Sequence, residues 1–381
     1  MNTKTDLLII GAGPFGLSLA AYAGSLGIDH LVAGKSMEFW KRNMPDGMYL
    51  RSASDWSLDP TGKASIMNYL ETQGKTPADV EPLSRDFYLA YCQWFQEQSG
   101  IETIQHYVTQ LAKKNDNFFA QFENGDVVEA KQVVIAIGMR YFKNQPSDLT
   151  ALLPKGRYSH TCDAVQLQGQ KEKRVLILGG RQSAFEWAAL LNDAGAAEVH
   201  LVHRHESPKF TESDWSWAAP MVDGMVADPA WFRNLPQEEK DAITKRMWGE
   251  GRLKVEPWLE KRVMKAGTYI HEKAALTSCV ELTDGSMSVT LDNGNTFVVD
   301  EIILATGYKV DLNQIPFLDK NLLSEISTRN GFPVLDEHFQ TSARGLYFTS
   351  MPAGQDFGPF FGFTISVRAS AQIIGNAIAG R

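Results

Sequence analysis

Two stretches carry the residue types that cradle a phosphate. In LLIIGAGPFGLSLA (Leu7–Ala20), Gly11, Gly13 and Gly16 follow an apolar run and open a segment of small, helix-forming residues. The first glycine of such a G-x-G-x-x-G permits a tight turn, the second lets backbone approach a pyrophosphate, and the third lets helix pack on strand. The helix then turns its positive end to the phosphates. Pro14 and Phe15 lie inside the motif and share the cradle. In VLILGGRQSAFEWA (Val175–Ala188), Gly179 begins a second turn, followed by Arg181, Gln182 and Ser183, with Ala184 in place of the third glycine. Arg181 stands where the middle glycine belongs. Its side chain holds a pyrophosphate farther off, yet a guanidinium also pairs with phosphate directly. A looser second site made partly of side chains is expected; the alternative is that Arg181 blocks nucleotide altogether.

The elements that must hold these turns occur twice. NFFAQFENGDVVEAKQVVIAIG closes the first half and SVTLDNGNTFVVDEIILATG the second, each with an Asn-Gly hairpin turn (Asn124-Gly125, Asn293-Gly294) and a β-branched strand ending on glycine. The interval Gly125–Gly138 equals Gly294–Gly307, and the intervals Gly11–Gly138 and Gly179–Gly307 differ by one residue. A long internal repeat explains both matches. It predicts an α/β chain with two Rossmann-like dinucleotide-binding domains, whose sites are closed by Gly138 and by Gly307 with Tyr308. In the second half, EVHLVHRHES places Arg204 where an NAD-specific protein carries an acid on the ribose 2′-hydroxyl; arginine suits a 2′-phosphate, hence NADPH. His203 and His205 are either helpers or solvated loop residues. In the first half, HLVAGKSMEFW has Ala33 where a flavin domain commonly carries its ribose-binding acid, so Lys35 or Glu38 would have to substitute. The intact glycines nonetheless favour FAD there.

Composition narrows the class. Lys plus Arg number 37 against 45 Asp plus Glu, a net charge of -8, and the basic residues form no long run, so nucleic acid is not an expected partner. The first strand begins near Asp6, which leaves no room for a signal peptide, and no apolar run reaches the roughly 18 residues of a membrane helix. A cytoplasmic protein away from membranes is expected. Cys92, Cys162 and Cys279 form no CxxC, so neither a disulfide framework, a zinc site nor any other metal centre is expected.

With the paired turns, the closing ATGY (Ala305–Tyr308) and the GxxxH of Gly156 to His160, the chain resembles the flavin-containing and N-hydroxylating monooxygenases along nearly its whole length. The resemblance implies FAD at the first turn, NADPH at the second, and a second domain inserted into the first. Residues 1–155 and 311–381 would then form the FAD domain and 156–310 the NADPH domain. GLYFTSMPAGQDFGPFFGF (Gly345–Phe363) resembles the segment that returns to the flavin ring. Pro154 and Ala164 replace the aromatics that flank the family's histidine signature, which leaves His160 as either part of that signature or a linker residue. MPDGMYLRSASDWSLDP (Met44–Pro60), after Trp40, resembles the segment that passes the flavin, and Trp40 is placed at the cofactor. Arg51 and Asp59 are the catalytic candidates there: the arginine for an anionic substrate or for NADP, the carboxylate for proton transfer. The alternative is that the two pair with each other.

Residues 207–269 have no counterpart in the first half and contain Trp215, Trp217, Trp231, Trp248 and Trp258. PQEEKDAITKRMWGEG reads as a helix begun by Pro236 and stopped by Gly249. This Trp-rich, mainly helical insertion has three possible uses: aromatic walls for a flat substrate, the core of a small subdomain, or a homodimer contact. SRDFYLAYCQWFQEQSG reads as a core helix capped by Ser84 and stopped by Gly100, with Phe87, Tyr91, Trp94 and Phe95 on one face. The resemblance implies a monooxygenase in which NADPH reduces FAD and a flavin C4a-peroxide passes one atom of molecular oxygen to a small, flat or nitrogen-containing molecule. HRHESPKF…SDWSW and EGRLKVEPWL are similar to flavoprotein urate hydroxylases outside the hydroxybenzoate-hydroxylase type, which implies a urate-like substrate. Two other readings stand beside it. One is a thioredoxin-reductase-like oxidoreductase that passes electrons to ferredoxin or quinone, and the other a nucleotide-binding flavoprotein without turnover.

Overall fold

A computed structural model describes residues 2–163 and 165–381. Ala164, one of the two replaced aromatics, lies outside the described residues. The first sheet runs Thr103–Ile104, His30–Ala33, Asn2–Ile10, Val127–Ile135, Asn117–Phe122, Val108–Lys114. Asn2–Ile10 pairs in parallel with a strand on either side, and its Leu7, Leu8 and Ile9 are fully buried. Such an unbroken apolar strand belongs in a sheet covered on both faces. The second sheet, Thr268–Glu272, Glu198–His203, Arg174–Leu178, Glu301–Leu304, Tyr158–His160, is parallel throughout.

The repeat holds down to its turns. Gly125 and Gly294 both have φ +85, and in each hairpin the preceding asparagine side chain accepts the N–H two residues on, at 3.1 and 3.0 Å. The halves differ after the turn. Val127–Ile135 is one strand joining hairpin to parallel sheet, whereas Asp300 breaks its counterpart into Thr296–Val299 and Glu301–Leu304. The Asp300 carboxylate accepts from the Arg174 backbone and guanidinium at 2.7–3.1 Å, so the second hairpin forms a separate three-stranded sheet.

The chain returns to the first sheet through Leu346–Phe348, which pairs in parallel with Val133–Ile135. The last helix, Val367–Ile378, then packs on the first, Pro14–Ser25, at a distance set by Gly375, where a Cβ would lie 2.5 Å from the Tyr22 ring. The helix Arg85–Gln98 is capped by the Ser84 hydroxyl, which accepts from Phe87 N at 3.1 Å; it ends before Gly100 and buries Tyr91 and Phe95.

The insertion departs from expectation in two ways. Ala218, Val222, Met225, Phe232 and Met247 join the core of the first sheet, while Val255, Leu259 and Val263 join the core of the second. It therefore fastens the two units together. Its long helix runs Gln237–Arg252, straight through Gly249. The cost of two mid-helix glycines, about 1 kcal/mol each, is offset at the helix end. There Arg51 donates to the carbonyls of Gly251 and Glu250 at 2.6 and 3.2 Å, and Arg181 to that of Arg252 at 3.0 Å.

Candidate functional site

At the first turn each glycine has a separate reason. Gly11 has φ +117, and a Cβ there would lie 2.3 Å from Ala136 O; at Gly16 it would lie 1.8 Å from Gly11 O. Gly13 has φ -90, and nothing lies within 4 Å of its Cβ position, so its bare backbone leaves an open approach rather than solving a turn. The helix that follows has no side-chain cap and no acid in its first turn, so its leading N–H groups are available to phosphate. Gly11, Gly13, Pro14, Phe15, Trp40 and Gly138 line one cavity. Gly16 acts behind it, through packing. These features fit a dinucleotide.

Ala33, Lys35 and Glu38 also line this cavity. Glu38 pairs with Arg42 at 2.8 Å, and the Arg140 guanidinium lies 4.1 Å from the Tyr107 ring, with Lys35 at 5.2 Å. The missing acid at Ala33 is thus faced by an aromatic ring and two cations.

The second turn repeats the first atom by atom at its start. Gly179 has φ +152, and a Cβ would lie 2.4 Å from Ala305 O, the counterpart of Ala136 O. Arg181 has φ -115 and ψ -176 against φ -90 and ψ -171 at Gly13, so the position asks nothing of a glycine backbone and an arginine fits without strain. The adjacent Gly180 is the demanding one, because a Cβ there would lie 2.3 Å from the His203 ring. His203 is buried beneath the turn rather than solvated, donating to His205 O through Nδ1 (2.9 Å), and burial holds it below the ordinary imidazole range. Arg204, next along, is exposed and has no partner among the described residues. Gln182 and Ser183 open the helix Gln182–Asp193, which again has no side-chain cap and no acid in its first turn.

The two sites meet at Tyr308. Its ring contacts Phe39, a wall of the first cavity, at 6.4 Å and His160 at 5.3 Å. His160 is fully buried, with Nε2 donating to Gly307 O at 3.0 Å and Nδ1 3.1 Å from Cys162 Sγ, and burial holds it below the ordinary imidazole range. It pins the closing turn of the second half.

Arg51 and Asp59 stand otherwise than expected. The Asp59 carboxylate is buried and accepts from Thr61 N and Oγ1 at 2.7 Å and from Ala64 N, so its bonds shape the local loop. Arg51 does not pair with it. Its guanidinium meets Glu256 at 2.8 Å, Ser213 Oγ and the carbonyls of the insertion helix, which makes it a brace between units rather than an anion receptor. Both groups are committed by residues far away in sequence.

The insertion packs behind the wall of the first cavity. Trp215 packs on Trp56 at 5.9 Å and on Phe363, which lines the cavity, at 5.4 Å; Trp217 packs on Phe360 at 5.7 Å. Sequence reasoning missed Glu186. This carboxyl, on the second nucleotide helix, is 2% exposed and accepts Tyr49 N of the Met44–Pro60 segment at 2.7 Å, and burial pushes it up to about 7. The acid inside an otherwise apolar helix face was its only signal. Among the described residues no group of three or more His, Cys, Asp or Glu is arranged to hold a metal, and no helix is long and apolar enough to cross a membrane.

Residues 3–310 match the L-lysine 6-monooxygenase/L-ornithine 5-monooxygenase family. The chain belongs to this family. Its cofactors are FAD and NADPH. The fold agrees with a solved ornithine N-hydroxylase of Kutzneria sp. 744, a complex with reduced FAD, NADP+ and L-ornithine: TM-score 0.80 at 16% identity, covering 98% of this chain and 99% of that one. Thioredoxin reductase of Helicobacter pylori is 30% identical over 204 residues, 53% of this chain and 56% of its own length. Ferredoxin–NADP reductase of Ralstonia pickettii is 28% identical over 230 residues, 60% and 57% respectively. The chain spans little more than half the length of these curated relatives.

Proposed function

We propose that this chain uses NADPH and FAD to insert one atom of molecular oxygen into a small, flat, nitrogen-containing molecule of urate type, the other atom leaving as water. The observation that carries this reading is the aromatic stack behind the first cavity: Phe363 lines the cavity, Trp215 packs on Phe363, and the buried Trp56 packs on Trp215. Flat heterocycles are held by such faces, whereas an aliphatic amino acid asks for charged partners. With Arg51 committed to the insertion helix, recognition rests on these rings.

Bound FAD supplies the electron transfer and the oxygen activation. The protein's own work is positional. Gly13 and the helix N-terminus hold the flavin's pyrophosphate, Arg204 takes the 2′-phosphate of NADPH, and Tyr308 with Phe39 fixes the distance between the sites. Trp215 and Phe363 exclude water from the reacting end.

The test is to follow NADPH consumption and hydroxylated product together, with urate, related N-heterocycles, L-ornithine and L-lysine as substrates. Coupling of NADPH to product by the heterocycles alone is expected. Coupling only by the amino acids would overturn the flat-substrate reading. NADPH oxidation that yields no hydroxylated product but reduces ferredoxin or a quinone would place the chain with the reductases it matches over half its length.

A further inference from the structure

The second nucleotide turn faces a cationic surface that no acid neutralises. The guanidinium groups of Arg181 and Arg252 both lie over the Trp248 ring, at 5.4 and 4.5 Å from its centroid, and neither forms an ion pair among the described residues. Partial burial and then the adjacent Arg252 disfavour the charged form of Arg181, so the pair repels itself as it stands. Trp248 is 43% exposed although it belongs to the insertion helix Gln237–Arg252.

The backbone says which way Arg181 points relative to a ligand. Its conformation matches that of Gly13, where a Cβ would project into open space on the cradle side. The Arg181 side chain therefore enters the region that the pyrophosphate approaches in the first copy. Only one of its N–H groups is used, on Arg252 O at 3.0 Å; the remainder of the fork faces away from any acid. Two like charges held side by side over one ring are stabilised together by one multiply charged anion.

We propose that Arg181, Arg252 and Trp248 form a pyrophosphate clamp, so that the insertion supplies half of the second nucleotide site. The two guanidinium groups take the diphosphate common to NADPH and NADH, and Trp248 holds them at the correct spacing. Arginine at position 181 replaces by charge what the missing glycine would have given by proximity. Because Arg51 holds the two carbonyls just before that of Arg252, the clamp also sits on the brace that joins the units. This inference rests on reading the second site as a nicotinamide dinucleotide site.

The experiment is isothermal titration of NADP+ and NAD+ into the oxidised, FAD-loaded enzyme, using wild type, Arg181→Gly, Arg252→Gln and Arg204→Gln. Arg181→Gly and Arg252→Gln should each weaken both dinucleotides alike, by roughly tenfold or more, as expected for loss of a charge-assisted pair. Arg204→Gln should weaken NADP+ alone. Unchanged or tighter binding by Arg181→Gly, the variant that restores the glycine, would overturn the clamp, and so would losses confined to NADP+. Arg252→Gln lies on an exposed helix end and carries the test if Arg181→Gly does not fold. A wild-type enzyme that binds neither dinucleotide would overturn the nicotinamide reading itself, and the clamp with it.

Discussion

Glu186→Gln is expected to make the protein more stable as pH rises, and the structure sets the size of the effect. Glu186 lies between the units, on the helix Gln182–Asp193, and holds Tyr49 N of the Met44–Pro60 segment. Burial is the main reason its carboxyl stands near 7; the Tyr49 N–H, Arg262, Arg51 and the Gln182 side chain oppose it. Glu256 stands behind Arg51, paired with it at 2.8 Å. A carboxyl whose folded-state value lies above its ordinary 4.5 binds its proton more tightly folded than unfolded. Its stabilisation is complete below about 4.5 and is lost as pH rises through 7. The difference between 4.5 and about 7 corresponds to about 3 kcal/mol. Glutamine keeps a carbonyl oxygen for the Tyr49 N–H and never ionises. The stability of the variant relative to wild type should therefore climb by up to about 3 kcal/mol between pH 5 and pH 9. Urea unfolding of both FAD-loaded proteins at pH 5, 7 and 9 measures this directly, because every other titrating group is common to the two. A difference that stays flat across that range, or falls as pH rises, would refute the argument that Glu186 is an uncompensated buried acid.

Three further outcomes follow from the turns. Gly13→Ala should leave apoprotein stability within about 0.5 kcal/mol while FAD affinity, read by flavin fluorescence, falls; unchanged affinity would remove Gly13 from the phosphate approach. Gly180→Ala should cost about 1–3 kcal/mol by driving into the His203 ring, and thermal melting should recover when His203→Ala is added. Arg204→Gln should lower the preference for NADPH over NADH in flavin reduction by roughly tenfold or more while FAD content is unchanged; a preserved preference would remove Arg204 from the 2′-phosphate.

What could be read along the chain was what short spacing encodes. Gly11 and Gly16 are demanded by backbone only a few residues or one strand away, and the two Asn-Gly turns impose the same local geometry wherever they occur. The helix stop at Gly249 failed for the complementary reason. A glycine weakens a helix by about 1 kcal/mol, which caps donated by Arg51 and Arg181 from distant segments outweigh. Asp59 and Arg51 looked like chemistry because an acid and a base stood near a flavin-passing segment. Asp59 is consumed by a loop two to five residues on, and Arg51 by residues some 160 to 205 positions away.

The sequence by itself determined the two glycine turns, the paired Asn-Gly hairpins and their repeat, because each depends on residue type at a fixed interval along the chain. Only the tertiary structure decided that the insertion belongs to both cores, that Trp215 packs on Phe363 behind the first cavity while Trp248 faces the second turn, that His203 fills the space left by Gly180, and that Glu186 is a buried acid between the units. Those facts depend on which distant surfaces meet, and burial, charge and partner are properties of the meeting.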